Sequence, residues 1–253
     1  MLSVGIGKPG EYDVLGSAAM VAPGIALSAW HVFEPFMAEI KSGEREVLLH
    51  AILDGGLQLW RVEEISQFDA TDIIILRINL ASDFPEKNKF EACVISTRTP
   101  ALGEHVMIAG FRRETVECEE DEAKVVGAVR IAIGEVTAVY NSGRDRVLQP
   151  NPCVELRCPA LGSMSGGPAF DKSGHLIGVL GSSLECEENY EDGPSYVCSA
   201  WPILGTKIST VWLNGLVPLP TSLLAMAEQH KAKIIGPEAL RVRPDGIEYS
   251  CWT

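Results

Sequence analysis

His31, Asp72 and Ser165 follow one another along the chain in three short segments that suit one kind of chemistry, attack on a carbonyl carbon. A serine hydroxyl is a poor nucleophile at neutral pH unless an imidazole takes its proton. A carboxylate must then hold that imidazole in the right tautomer and stabilise its cationic form. The segments are Leu27-Ser28-Ala29-Trp30-His31-Val32, Thr71-Asp72-Ile73-Ile74-Ile75-Leu76 and Ser163-Met164-Ser165-Gly166-Gly167-Pro168. Each residue alone has an ordinary structural explanation: a half-buried histidine, an aspartate at a strand end, a serine in a Gly-Gly-Pro turn. The three segments together are far more specific than any one of them. Asp69 is a rival for the carboxylate, but Asp72 directly precedes the apolar run. Ser163 is a rival for the nucleophile, but only Ser165 precedes Gly-Gly-Pro.

The elements that must position these side chains read as short strands. Ser17 to Val21, Ile25 to Ser28, Glu46 to Leu53, Gln58 to Glu64 and Asp72 to Ile78 are expected strands. Pro23-Gly24 and Asp54-Gly55-Gly56 supply turns between them. A helical stretch is expected around Glu34 to Lys41, and a polar linker over Ala81 to Asn88. The second half continues with Val106 to Phe111, Val125 to Val139 (broken at Gly127 and Gly134), Val154 to Cys158, Gly167 to Phe170, Leu176 to Leu180 and Tyr196 to Ala200. Met1 to Asp13 reads as short, mixed and Gly-rich, and Glu117 to Glu122 as a solvated acidic loop. Thr221 to Lys231 has an N-cap and apolar residues at helical spacing. Strands do not alternate with long helices, which speaks against a βαβ fold. The expectation is an all-β chain: two antiparallel six-stranded barrels over 1–85 and 86–215, then a C-terminal helix and tail over 216–253.

Composition narrows the function. The 253 residues carry a formal net charge of −13, which speaks against nucleic-acid binding, since phosphate contacts need clustered Lys and Arg. With 46% hydrophobic residues there is enough apolar material for a core, and 24 glycines and 15 prolines suit a turn-rich β protein. No apolar run approaches the roughly 20 residues needed to span a bilayer, and export by a leader is not expected. Seven cysteines without a C-x-x-C pair suit free thiols in a reducing cytoplasm, with Cys186 and Cys198 able to pair under oxidising conditions. Their spacing does not match the common zinc modules, and no metal or cofactor is expected.

The motifs resemble those of chymotrypsin-like (trypsin-like) serine peptidases. LSAWHV is similar to the family's T-A-A-H-V histidine motif, TDIIIL to its D-I-A-L aspartate motif, and SMSGGPAFDKSGHLIGV to its G-x-S-G-G-P serine motif with the strand pair after it. The likeness covers about residues 14 to 205 and is closest to bacterial and HtrA-type enzymes, with no PDZ-like domain expected to follow. It implies that His31 is the general base and then acid, that Asp72 orients it, and that Ser165 attacks the scissile carbonyl. The oxyanion hole would be the backbone N–H groups of Ser163 and Ser165. Pro159, six residues before Ser165, would lie at the floor of the main specificity pocket, with Ser182 and Ser183 along one wall pairing with an extended peptide. No acid stands at Pro159, so a small or apolar residue is expected before the cut, unless Glu185 or Glu187 reaches in. The implied partners are a polypeptide substrate and a restraining regulatory protein, with no nucleic acid and no membrane.

Two departures from the family pattern stand out. Ser163 occupies a position where the family usually has Gly, which can adopt backbone angles that a side chain resists. Met164 stands where digestive enzymes carry the Asp that pairs with a newly cut N-terminus, so activation by that route is not expected. Two other readings compete. One is a non-catalytic relative that binds extended peptides by strand addition. The other is an α/β-hydrolase, with Asp192 and His230 following Ser165 in its chain order.

Overall fold

In the computed structural model, all residues are described except 10, 54–55, 69–70, 84–90, 120–121, 148, 159–162, 184–193, 211–218, 244–245 and 250–253. Six antiparallel strands close the first barrel: β1 (Leu2–Lys8), β2 (Glu11–Ala22), β3 (Ile25–Ala29), β4 (Glu46–Leu53), β5 (Gly56–Ser66) and β6 (Ile73–Leu80), in the order β1-β2-β3-β6-β5-β4. The segment read as mixed and Gly-rich is thus a barrel strand. Leu2, Val4 and Ile6 are fully buried, and the alternate positions include Gly5 and Gly7, which neighbours approach closely. The small alternate residues obscured a strict period of two. A 3₁₀ turn over Glu34–Phe36 and a short helix, α1 (Met37–Ser42), follow His31, and Gly43 ends the helix in the left-handed conformation.

The second barrel begins after a short strand, β7 (Ile95–Ser96). It is formed by β8 (His105–Glu119), β9 (Glu122–Tyr140), β10 (Cys153–Arg157), β11 (Pro168–Phe170), β12 (Leu176–Ser183) and β13 (Pro194–Ser199). The pairings run β11-β8-β9-β10-β13-β12, and β11 also pairs with β12, so six strands close a ring. The chain then makes the β14 (Ile208–Thr210) and β15 (Leu219–Thr221) hairpin and the helix α2 (Leu223–Glu228), capped by Ser222. The strand β16 (Ile234–Ile235) adds to β7, and β17 (Leu240–Arg243) with β18 (Gly246–Tyr249) forms a last hairpin.

Two expectations for β8 and β9 need correcting. Glu117 and Glu119 belong to β8 and Glu122 to β9, with Glu119 opposite Glu122, so the described part of the acidic segment is strand, while 120–121 lie outside the described residues. Nor does β9 break at its glycines. Gly134 is paired with Val106, and a Cβ there would meet the Cys158 Sγ at 2.7 Å, so this glycine serves close packing.

Three apolar clusters build the molecule. One fills the first barrel, with Leu2, Val4, Ile74, Leu76 and Ile78, and one fills the second, with Val106, Ile108, Leu156 and Val197. The third lies between them. There Leu27, Ile73 and Ile75 meet Ile95, Leu176, Val179 and Cys198, together with Leu223 and Met226 of α2. Alternate residues of β6 therefore face two different cores, which is why the run after Asp72 is continuously apolar rather than alternating.

Candidate active site

Asp72 precedes β6, where that strand pairs with the end of β3 (Ala29 opposite Ile73). The chain leaves β3 into a 3₁₀ turn over Trp30–Val32, and the Trp30 N–H donates to the Asp72 carbonyl at 2.5 Å. This register brings His31 and Asp72 together. Asp72 Oδ2 lies 2.8 Å from His31 Nδ1, and Oδ1 accepts the His31 main-chain N–H at 3.1 Å. A carboxylate on Nδ1 leaves Nε2 as the nitrogen free to accept a proton.

Ser165 lies in the turn between β10 and β11, tied to the first barrel. Its carbonyl accepts the Ser17 N–H at 2.8 Å. Gly166 follows with φ +80°, and a Cβ there would meet the Ser17 carbonyl and Ser28 Oγ, both at 2.3 Å, and the Ala29 N at 2.9 Å. Glycine is therefore required after Ser165 by both its backbone angles and its neighbours. The turn thus rests on the end of the strand that leads to His31. Among the described residues, no hydrogen bond joins Ser165 Oγ to His31. Such bonds are often long before substrate arrives.

Ser163 adopts φ +69°, the left-handed conformation that the sequence made doubtful for a residue with a side chain. Its carbonyl accepts the Ser17 hydroxyl at 3.1 Å. Among the described residues, the N–H groups of Ser163 and Ser165 have no acceptor.

A cleft of about 450 Å³ adjoins the His31–Asp72 pair, with Trp30, Phe68, Gln149 and Ser182 among its walls. The Ser182 hydroxyl is occupied, accepting from Gln149 Nε2 at 2.6 Å. Ser183 pairs with Ser195 at the end of β12. Pro159, Asp69, Glu185, Glu187, Asp192 and Cys186 lie outside the described residues. His230 ends the turn after α2, exposed and with φ +58°.

Sequence reading missed three contributors. Ser17, in the middle of a strand, is fully buried and makes the contacts just given. Gly181 stands beside the carboxylate: a Cβ there would meet Cys198 Sγ at 2.7 Å and Asp72 Oδ2 at 3.5 Å. Cys198 is fully buried behind Asp72, and burial, reinforced by the Asp72 charge, pushes its thiol well above the ordinary range. All three act through neighbours distant in sequence, so no local motif marks them. Cys198 stands opposite Cys153 on β10, and Cys93, Cys153, Cys158 and Cys198 are free.

The family model for the trypsin-like peptidase domain matches residues 16–179, more than half of the chain. The chain belongs to the trypsin-like peptidase family. Solved members of similar fold include the protease domain of MamO from Magnetospirillum magneticum, at 16% identity and TM-score 0.53, covering 78% of this chain and 91% of that one. Deg5 is similar at 16% identity and TM-score 0.53, with 78% and 82% covered. Neuropsin, a serine protease expressed in the limbic system of mouse brain, matches at 15% identity and TM-score 0.51, with 78% and 88% covered. At these identities the likeness is one of fold. No curated protein sequence matches the chain. Among the described residues, no helix of this trypsin-like chain is long and apolar enough to cross a membrane.

Proposed function

We propose that this trypsin-like protein is a serine endopeptidase that cuts polypeptides through an acyl-enzyme, with His31, Asp72 and Ser165 as its triad. The observation that carries the reading is the double engagement of Asp72 with the ring and main chain of His31. With Nδ1 protonated toward Asp72, Nε2 takes the Ser165 proton as Oγ attacks the scissile carbonyl. The N–H groups of Ser163 and Ser165 receive the developing oxyanion. His31 then protonates the leaving amine, and a water activated by the same nitrogen releases the acyl group. The chemistry calls for no cofactor.

In this reading the first barrel, within 1–85, supplies base and carboxylate, and the second, within 86–215, supplies the nucleophile. Beyond them, α2 packs into the cluster between the two barrels and β16 adds to β7. The substrate pairs as an extended strand along Ser182 and Ser183. One edge of β12 there is taken by Ser195 and Tyr196 of β13, and among the described residues the other edge is open. A small or apolar residue precedes the cut, since no acid stands at position 159 of the sequence. The free thiols support a reducing, cytoplasmic setting, where a regulatory protein would restrain such an activity.

A second reading, a peptide-binding relative that cuts nothing, is favoured by the missing Ser165–His31 hydrogen bond. A fluorophosphonate probe separates them. Labelling of the wild type but not of Ser165→Ala supports the enzyme, with a peptide-library digest giving the cleavage preference. Peptide binding without labelling supports the relative.

A further inference from the structure

Ser17 uses every polar atom it has. Its N–H donates to the Ser165 carbonyl at 2.8 Å, and its carbonyl accepts the Ser28 hydroxyl at 2.7 Å. Its Oγ accepts the Phe111 N–H at 2.8 Å and lies 3.1 Å from the Ser163 carbonyl. A hydroxyl has one proton to give. With a lone pair already occupied by Phe111, that proton is directed at Ser163.

This matters because of what Ser163 must do. A left-handed residue with a side chain is uphill from the ordinary backbone regions. A buried hydrogen bond is of comparable strength, and leaving its acceptor unpaired costs more still. The bond from Ser17 grips the Ser163–Met164 peptide plane, so a change of backbone angles at Ser163 would have to break it. The direction of the Ser163 N–H depends on those same angles.

We propose that the Ser17 hydroxyl is the positioning group of the oxyanion hole: it holds Ser163 in the left-handed state and so aims the Ser163 N–H at the developing charge. The proposal rests on the endopeptidase reading above. It explains how this chain does without the glycine that its family usually has at this place. The left-handed state is held by a hydrogen bond from the first barrel instead of by the absence of a side chain.

The test is a pair of substitutions. Losing one oxyanion donor outright costs on the order of 100- to 1,000-fold in turnover. Ser17→Ala, which leaves the donor present but loosely held, is expected to lower kcat about 10- to 100-fold with KM within about twofold. Glycine holds a positive φ without help. Ser17→Ala/Ser163→Gly should therefore recover kcat to within about threefold of Ser163→Gly alone. If Ser17 only ties β2 to β8 at Phe111, Ser163→Gly brings no rescue, and that result overturns the proposal, as does wild-type kcat in Ser17→Ala. Should Ser17→Ala not fold, Ser17→Cys, whose S–H is a weaker donor, replaces it with the same rescue expected. Fluorophosphonate labelling runs in parallel. If the wild type labels and Ser17→Ala labels at the same rate, only the Ser17 role fails. If the wild type does not label, the endopeptidase reading fails and takes the Ser17 role with it.

Discussion

Asp72 takes two hydrogen bonds from His31, one from each end of the same residue: the ring at 2.8 Å and the main-chain N–H at 3.1 Å. The two carboxylate oxygens therefore have distinct partners. The main-chain donor fixes Oδ1 as an acceptor, which leaves Oδ2 for the ring.

This division makes Asp72→Asn informative. The oxygen of the amide must face the His31 N–H, so its NH₂ faces Nδ1. Nδ1 then accepts, the ring proton moves to Nε2, and His31 can no longer take a proton from Ser165. Peptidase kcat should fall on the order of 10⁴-fold, the loss found when a triad carboxylate elsewhere is neutralised. The melting temperature should change little, since both hydrogen bonds survive. A kcat within tenfold of wild type would sink the assigned role of Asp72.

Gly181 leaves room for both Asp72 and Cys198, because a Cβ there would lie 2.7 Å from Cys198 Sγ. Gly181→Ala should destabilise by about 1–3 kcal/mol through overpacking and lower kcat by displacing Asp72. Removing the sulfur in Gly181→Ala/Cys198→Ala opens that space, and part of both losses should return. Urea midpoints and kcat for the two variants check this, and the absence of any recovery would place the crowding elsewhere.

Alkaline pH should weaken the fold through its buried thiols. Burial pushes Cys153 up to about 11 from the ordinary value of 9.0, and Cys158 and Cys198 also shift upward. Below pH 9 the thiol is protonated in both the folded and unfolded chains, and nothing is lost. Between pH 9 and 11 the unfolded chain gives up a proton that the folded chain keeps, so stability falls as pH rises. For Cys153 alone the loss is roughly 2–3 kcal/mol by pH 11. Cys153→Ser removes that ionisation, so its urea midpoint should decline less steeply over this range than that of the wild type.

The proposed catalytic segments stand out in the sequence because His31, Asp72 and Ser165 each sit in a short local motif, and the fold brings the first two together. Strand positions were legible where branched apolar residues cluster, as in β4 and β6. The first strand was not, because glycines and a serine alternate with Leu2, Val4 and Ile6. In β8 and β9 charge and glycine mimic loop signals in the sequence, whereas Glu119 pairs with Glu122 and Gly134 with Val106. The long-range supports stayed hidden for a different reason. Ser17 meets Ser163 across 146 positions, and only the closed fold makes that distance short.

Helix α2 lies beyond the stretch matched by the family model, yet Leu223 and Met226 are fully buried in the central cluster. Leu223→Ala should cost about 2–4 kcal/mol, the range for emptying a packed apolar site. A urea midpoint unchanged from wild type would mean that α2 is not structurally coupled to the barrels.

Strand β6 is a party wall. Ile74 and Leu76 furnish one room and Ile73 and Ile75 the other, and Asp72 stands at its end. Neither half of the molecule can loosen without baring a face of that strand, so calorimetry should record one melting event rather than two. The His31–Asp72 pairing is then secured by the cohesion of the whole molecule rather than by its own loop alone.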